Sequence, residues 1–142
     1  MSLKLLLYIA LTGDNRGVMV KPPYNILIIE DDDSVRSILR LFLAKRKYRV
    51  IEANNGLEGL GIARSMLPDL VITDLMMSGM PGVELIKELK VREETKHIPI
   101  IAMTGGDYSL QQKASEAGAN AVVSKPMKHK SLLTLVCSLL EA

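Results

Sequence analysis

The chain contains no tryptophan, one phenylalanine and four tyrosines, which leaves little with which to stack bases and weakens any aromatic platform for single-stranded nucleic acid. A single cysteine, Cys137, rules out an internal disulfide and any metal site built on several thiolates. It lies in LLTLVCSLL, where a buried structural thiol is expected. The only two histidines, His97 and His129, lack metal-ligand spacing and are expected at the surface. Neither sign of charge dominates: the formal net charge is +2, so nothing in the total calls for a nucleic acid or an anionic membrane. No glycine-rich phosphate loop opens the helix that follows the first strand, which argues against a nucleotide or flavin binder. No apolar run reaches the ~20 residues of a membrane span, and a lone cysteine suits the cytoplasm.

What is present is ordinary globular material. With 142 residues, 48% of them apolar and 24% charged, the chain is sized for one compact domain with its own core. No repeat, low-complexity linker or second domain interrupts it. Residues 1–23 are set apart as an N-terminal extension, and residues 24–142 as the domain. LKLLLYIALTG in the extension is compatible with a packing appendage, a membrane-surface or partner-binding segment, or sequence ahead of the domain's own start. Met19, opening MVKPPYNILII, would be a natural beginning, and an appendage or extended start is the favoured reading.

From Asn25 onward, short apolar runs alternate with longer amphipathic stretches. The runs are ILII (26–29), a weaker RVIEA (49–53), LVIT (70–73), IPIIAM (98–103) and AVVS (121–124). They are rich in Ile and Val and lack polar alternation, as strands covered on both faces do. Helices are predicted between them. Val35, Ile38 and Phe42 give the first an apolar face, with Asp33 or Ser34 as its cap. The others are predicted over Leu57–Met66, Val83–Glu94, Ser109–Ala117 and His129–Leu140. Strict alternation predicts an α/β fold with a parallel sheet and helices on both faces.

Ligands of such sheets bind beyond the carboxyl ends of the strands. The residues that follow the strands therefore matter most. They are Glu30, Asp31, Asp32 and Asp33 after the first strand, Asp74 after the third, Thr104 after the fourth, and Lys125 with Pro126 after the fifth. Clustered carboxylates raise one another's cost of ionisation unless a cation joins them. A hard divalent cation with oxygen ligands is the natural partner. A phosphoryl group on Asp74 would present oxygens to that cation on one side and to Thr104 and Lys125 on the other. Asp32 and Asp33 read instead as helix-start acids. Met76, Met77 and Met80 are expected to line the site or pack below it.

The motifs ILIIEDD, VITD, MTG and SKP, in this order and with EANNGLEGL after the second strand, make the chain from Tyr24 onward resemble a receiver domain of two-component response regulators. The resemblance implies a flavodoxin-like, doubly wound five-stranded sheet of order 2-1-3-4-5. It implies that Asp74 accepts a phosphoryl group from a sensor histidine kinase or phosphotransfer protein. Mg2+ would be bound by Asp31 directly, Glu30 through water, Asp74, and the backbone carbonyl of Met76. Thr104 and Lys125 would turn toward the phosphoryl group, and the Lys125–Pro126 bond would be cis. The domain is then no independent enzyme but a phosphoacceptor that assists its own phosphoryl transfer and its slow dephosphorylation. Its output would be a downstream protein partner or a domain missing here, with a homodimer possible through the fourth helix, fifth strand and fifth helix. No direct nucleic-acid binding is expected.

Two departures from the family pattern stand out. The loop after the phosphoacceptor reads MSGMPG, where MPGMDG is usual, and Val122 replaces the common switch aromatic. Two readings compete with the switch. One is a receiver-like interaction module that phosphorylation does not regulate. The other is an aspartate-nucleophile phosphotransferase of the haloacid-dehalogenase kind, disfavoured because the second Asp of those enzymes is here Met76.

Overall fold

The computed structural model describes residues 3–13 and 23–141. In chain order the elements are α1 (Leu3–Thr12), β1 (Asn25–Ile29), α2 (Asp33–Lys45), β2 (Arg49–Ala53), α3 (Gly56–Met66), β3 (Leu70–Asp74), α4 (Gly82–Val91), β4 (Ile100–Thr104), α5 (Tyr108–Ala117), β5 (Ala121–Ser124) and α6 (His129–Leu140). The five strands form one parallel sheet in the order β2-β1-β3-β4-β5. That is the predicted doubly wound arrangement, and the order reverses between β1 and β3.

Both sheet faces are buried, which explains why the strands read as continuous apolar runs. Leu27 and Ile29 of β1 face a core built with α3, α4 and α5, including Leu60, Leu85, Leu89 and Ala114. Ile26 and Ile28 face a second core built with α2 and α6, including Leu39, Leu43, Leu132 and Val136. Burying each of these Leu, Ile and Val side chains is worth about 1.5–3 kcal/mol. The inner strands end nearly level, with Ile29 beside Thr73, Asp74 beside Met103 and Thr104 beside Ser124. Everything that follows them therefore emerges along one edge.

Several local expectations change. The stripe of α2 that meets the sheet is Val35, Leu39 and Leu43, one row of i, i+4 neighbours, while Ile38 is 50% exposed. The cap of α2 is Asp32, whose carboxylate accepts from the N–H groups of Ser34 (2.8 Å) and Val35 (3.1 Å). α4 stops at Val91, three residues before the predicted end, because the apolar stripe ends with Leu89. There the Thr95 hydroxyl donates to the Leu89 carbonyl at 2.7 Å and closes the helix end. β4 starts at Ile100 and runs through Thr104. Cys137 is exposed, not buried; it lies off the Leu132–Leu133–Val136 stripe of α6 and donates to the Glu141 carboxylate.

In the N-terminal extension, α1 leaves Leu3, Leu6, Leu7 and Leu11 exposed. No helix among the described residues is long and apolar enough to cross a membrane. Met19 lies outside the described residues.

Candidate functional site

β1 delivers Glu30 directly to the sheet edge. Its backbone N–H still bonds the Ala53 carbonyl at 3.0 Å, so the strand pairing carries one residue past β1. Its side chain is 1% exposed, and Lys125 Nζ from the turn after β5 donates to Glu30 Oε1 at 2.7 Å. The same ammonium lies 3.2 Å from Asp74 Oδ2 at the end of β3, and the Asp74 side chain is 6% exposed. Lys125 is thus shared between two buried carboxylates. Asp31, next along the chain, is exposed, and one carboxylate oxygen from each of Glu30, Asp31 and Asp74 lies within 4.8 Å of the others.

The electrostatics follow from this geometry. Burial pushes the Glu30 carboxyl above its ordinary range; Asp74 adds to the rise, and the hydrogen bond from Lys125 opposes it. Burial alone would lower Lys125, but its hydrogen bonds and charge pairing with Glu30 and Asp74 prevail and hold it above the usual lysine value. Three carboxylates facing one ammonium leave two negative charges uncompensated when all are ionised. A doubly charged, oxygen-seeking cation matches that deficit in charge and donor type.

β3 and its exit turn hold Asp74 from the backbone side. The Thr73 hydroxyl donates to the Asp74 carbonyl at 3.0 Å, and the N–H of Met76 donates to Asp74 Oδ1 at 3.3 Å. The Leu75 N–H bonds the Met103 carbonyl at 2.9 Å, tying the turn to β4. Gly82 then returns the chain beside this turn. A Cβ there would sit 2.5 Å from the Asp74 carbonyl oxygen and 2.6 Å from the Leu75 Cα, so only glycine fits without displacing the backbone of Asp74 and Leu75.

Thr104 ends β4 beside β5, and its carbonyl accepts from the Lys125 N–H at 2.7 Å. Its hydroxyl is fully buried and has no hydrogen-bond partner. A buried hydroxyl in that state costs about 1–3 kcal/mol, so the site holds a donor in need of an acceptor. The Lys125–Pro126 bond is cis. Met76 is 67% exposed at the rim, whereas Met77 and Met80 pack against the core below. His97 and His129 are exposed.

All the predicted side chains therefore meet at one edge. Sequence reasoning missed three supporting residues: Arg36, Glu52 and Gly82. Glu52 was signalled as the one acid inside the RVIEA strand, and Arg36 as the arginine three residues past Asp33.

A parallel doubly wound sheet that gathers an acidic pair, a buried aspartate, a threonine and a lysine at its switch point defines a receiver-type domain. The family model for the response regulator receiver domain matches residues 26–137, and the chain belongs to that family. It is 34% identical over 109 residues to the polar-differentiation response regulator DivK of Brucella anthropi, covering 74% of this chain and 86% of that protein. It is also 34% identical over 122 residues to histidine kinase P4 of Formosa agariphila, covering 85% of this chain but only 9% of that much longer protein. A solved structure described as a putative response regulator from Chloroflexus aurantiacus superposes with a TM-score of 0.82 at 35% identity, covering 85% of this chain and all of that one.

Proposed function

We propose that this domain is a phosphorylation-controlled switch of two-component signalling, with Asp74 as phosphoacceptor. The observation that carries the proposal is the shared ammonium: Lys125 bridges buried Asp74 and buried Glu30, beside a third carboxylate on Asp31. The donor is a phosphohistidine on a sensor histidine kinase or phosphotransfer protein. Its P–N bond breaks as a P–O bond forms to an Asp74 carboxylate oxygen, and the leaving imidazole takes up a proton. The residues fit Mg2+, which Asp31, Asp74, the Met76 carbonyl and, through water, Glu30 would hold; when bound it supplies positive charge against the phosphoryl oxygens.

The protein's own part is positioning and charge. Lys125 exchanges a carboxylate for a phosphoryl oxygen and stabilises the charge that arrives on Asp74. The Thr104 hydroxyl, unpartnered beforehand, donates to another. Moving both residues shifts the population of the face formed by α5, β5 and α6, which a downstream protein, an output domain or a second copy reads. Val122 packs in the α3–α5 core and has no ring to rotate, so the shift passes through Thr104 and backbone packing. The domain works in the cytoplasm, binds no nucleic acid itself and is not an independent enzyme.

Incubation with a small phosphodonor and Mg2+, followed by intact mass, tests this reading. One added phosphoryl group is expected, absent in Asp74→Asn and absent when Mg2+ is chelated. A chain never modified under any condition would be an interaction module instead. Neither Met76, two residues past Asp74, nor Gly106, two past Thr104, offers a polar side chain to orient an attacking water. The aspartyl phosphate is therefore expected to decay slowly, and its complete loss within seconds in Mg2+ buffer would contradict that.

A further inference from the structure

The acidic loop between β1 and α2 has a support that phosphoryl chemistry does not itself require. Arg36, one turn into α2, reaches back over the loop with a side chain only 16% exposed. Its Nη1 donates to the Glu30 carbonyl at 2.7 Å, its Nη2 to Asp33 Oδ1 at 2.6 Å, and its Nε to Glu52 Oε1 at 3.2 Å. Glu52, on β2, also accepts from Arg40 at 3.4 Å. A planar fork with every nitrogen committed is a rigid brace, which a flexible surface ion pair is not.

The Glu30 carbonyl belongs to the peptide that joins Glu30 to Asp31. The N–H of Glu30 is already fixed on the Ala53 carbonyl, so Arg36 holds the far side of the same residue. The orientation of that peptide decides where the Asp31 carboxylate leaves the chain. A cation so close to metal-binding acids would compete with a metal, but the two carboxylates of Asp33 and Glu52 offset it. The brace thus supplies geometry without repelling a cation.

We propose that Arg36, anchored by Glu52, is a positioning residue for the divalent-cation site, holding the Glu30–Asp31 peptide so that Asp31 faces Asp74. The inference rests on the metal-dependent reading above and extends it to a residue that touches neither metal nor phosphoryl group. Removing a residue that orients a metal ligand weakens affinity roughly ten- to hundredfold.

The test is an Mg2+ titration of the full 142-residue chain, followed by backbone amide shifts of Asp31, Asp74 and Lys125, with thermal unfolding measured on the same samples. Arg36→Met is expected to raise the Mg2+ dissociation constant about tenfold, with phosphorylation restored at saturating Mg2+. Glu52→Gln should weaken binding by a smaller factor, and it carries the test if Arg36→Met does not fold. Arg36→Lys keeps the charge but not the fork, so it should remain impaired. Unchanged Mg2+ affinity in folded Arg36→Met and Glu52→Gln, or full recovery in Arg36→Lys, overturns the inference alone. Failure of the unsubstituted chain to bind Mg2+ overturns it together with the metal-dependent reading.

Discussion

Four successive acids, residues 30–33, take four different environments. Glu30 is buried under Lys125, Asp31 stands exposed at the site, Asp32 caps α2, and Asp33 pairs with Arg36. The chemical type of each was readable, but which acid would cap was not, since neighbouring acids in a turn differ only by backbone angles that a sequence does not display. Lys125 is the residue on which the cluster most depends. Lys125→Met leaves two buried carboxylates without their cation and is expected to cost about 3–5 kcal/mol at neutral pH. The Glu30 carboxyl is raised in the folded protein, chiefly by burial, so its contribution to stability is present below the ordinary glutamate range and is lost as pH rises through the raised value. The deficit of Lys125→Met should therefore shrink on acidification as Glu30 takes up a proton. Denaturant titrations across pH check this, and adding Glu30→Gln should flatten the profile.

At the scale of elements, the inner strands β1, β3 and β4 were legible because they are buried on both faces and keep few polar residues, whereas the edge strand β2, half-exposed and carrying Arg49 and Glu52, gave the weaker signal. Helix bodies were legible too. Their ends were less so: α4 ends where Thr95 folds back on Leu89, a contact between residues six apart that periodicity does not encode. The first helix misled in a similar way. α2 carries Ile38, Leu41 and Phe42 beside Val35, Leu39 and Leu43, enough apolar residues for two stripes, and only tertiary packing chooses the second set. Cys137 was misjudged for the same reason, since an apolar neighbourhood in sequence is not a buried face of a helix. The turn from β3 to α4 depends on Gly82. Gly82→Ala forces a methyl against the backbone of Asp74 and Leu75 and is expected to cost about 1–3 kcal/mol. It should also slow phosphorylation of the folded fraction, which thermal unfolding and a phosphodonor time course together would separate.

At the scale of the whole molecule, one sheet does two jobs. Its faces hold two hydrophobic cores, and its level carboxyl edge collects Glu30, Asp31, Asp74 and Lys125 into one cluster, with Thr104 ending the strand beside β5. The topology places the cluster where the strand order reverses, which is why the residues that follow the strands in sequence come together at one edge. What sequence reading left out was the support around it: Arg36 and Glu52 meet across 16 residues, and Gly82 matters only once α4 lies against the turn. One reaction underlies the proposed switch: the carboxylate of Asp74 becomes an acyl phosphate. It is tested most directly by treating the Mg2+- and donor-incubated chain with borohydride, which reduces an aspartyl phosphate to homoserine, and mapping the product by peptide mass. Homoserine is expected at position 74 and nowhere else, dependent on Mg2+. Homoserine at another aspartate, or none at any donor concentration, would contradict it.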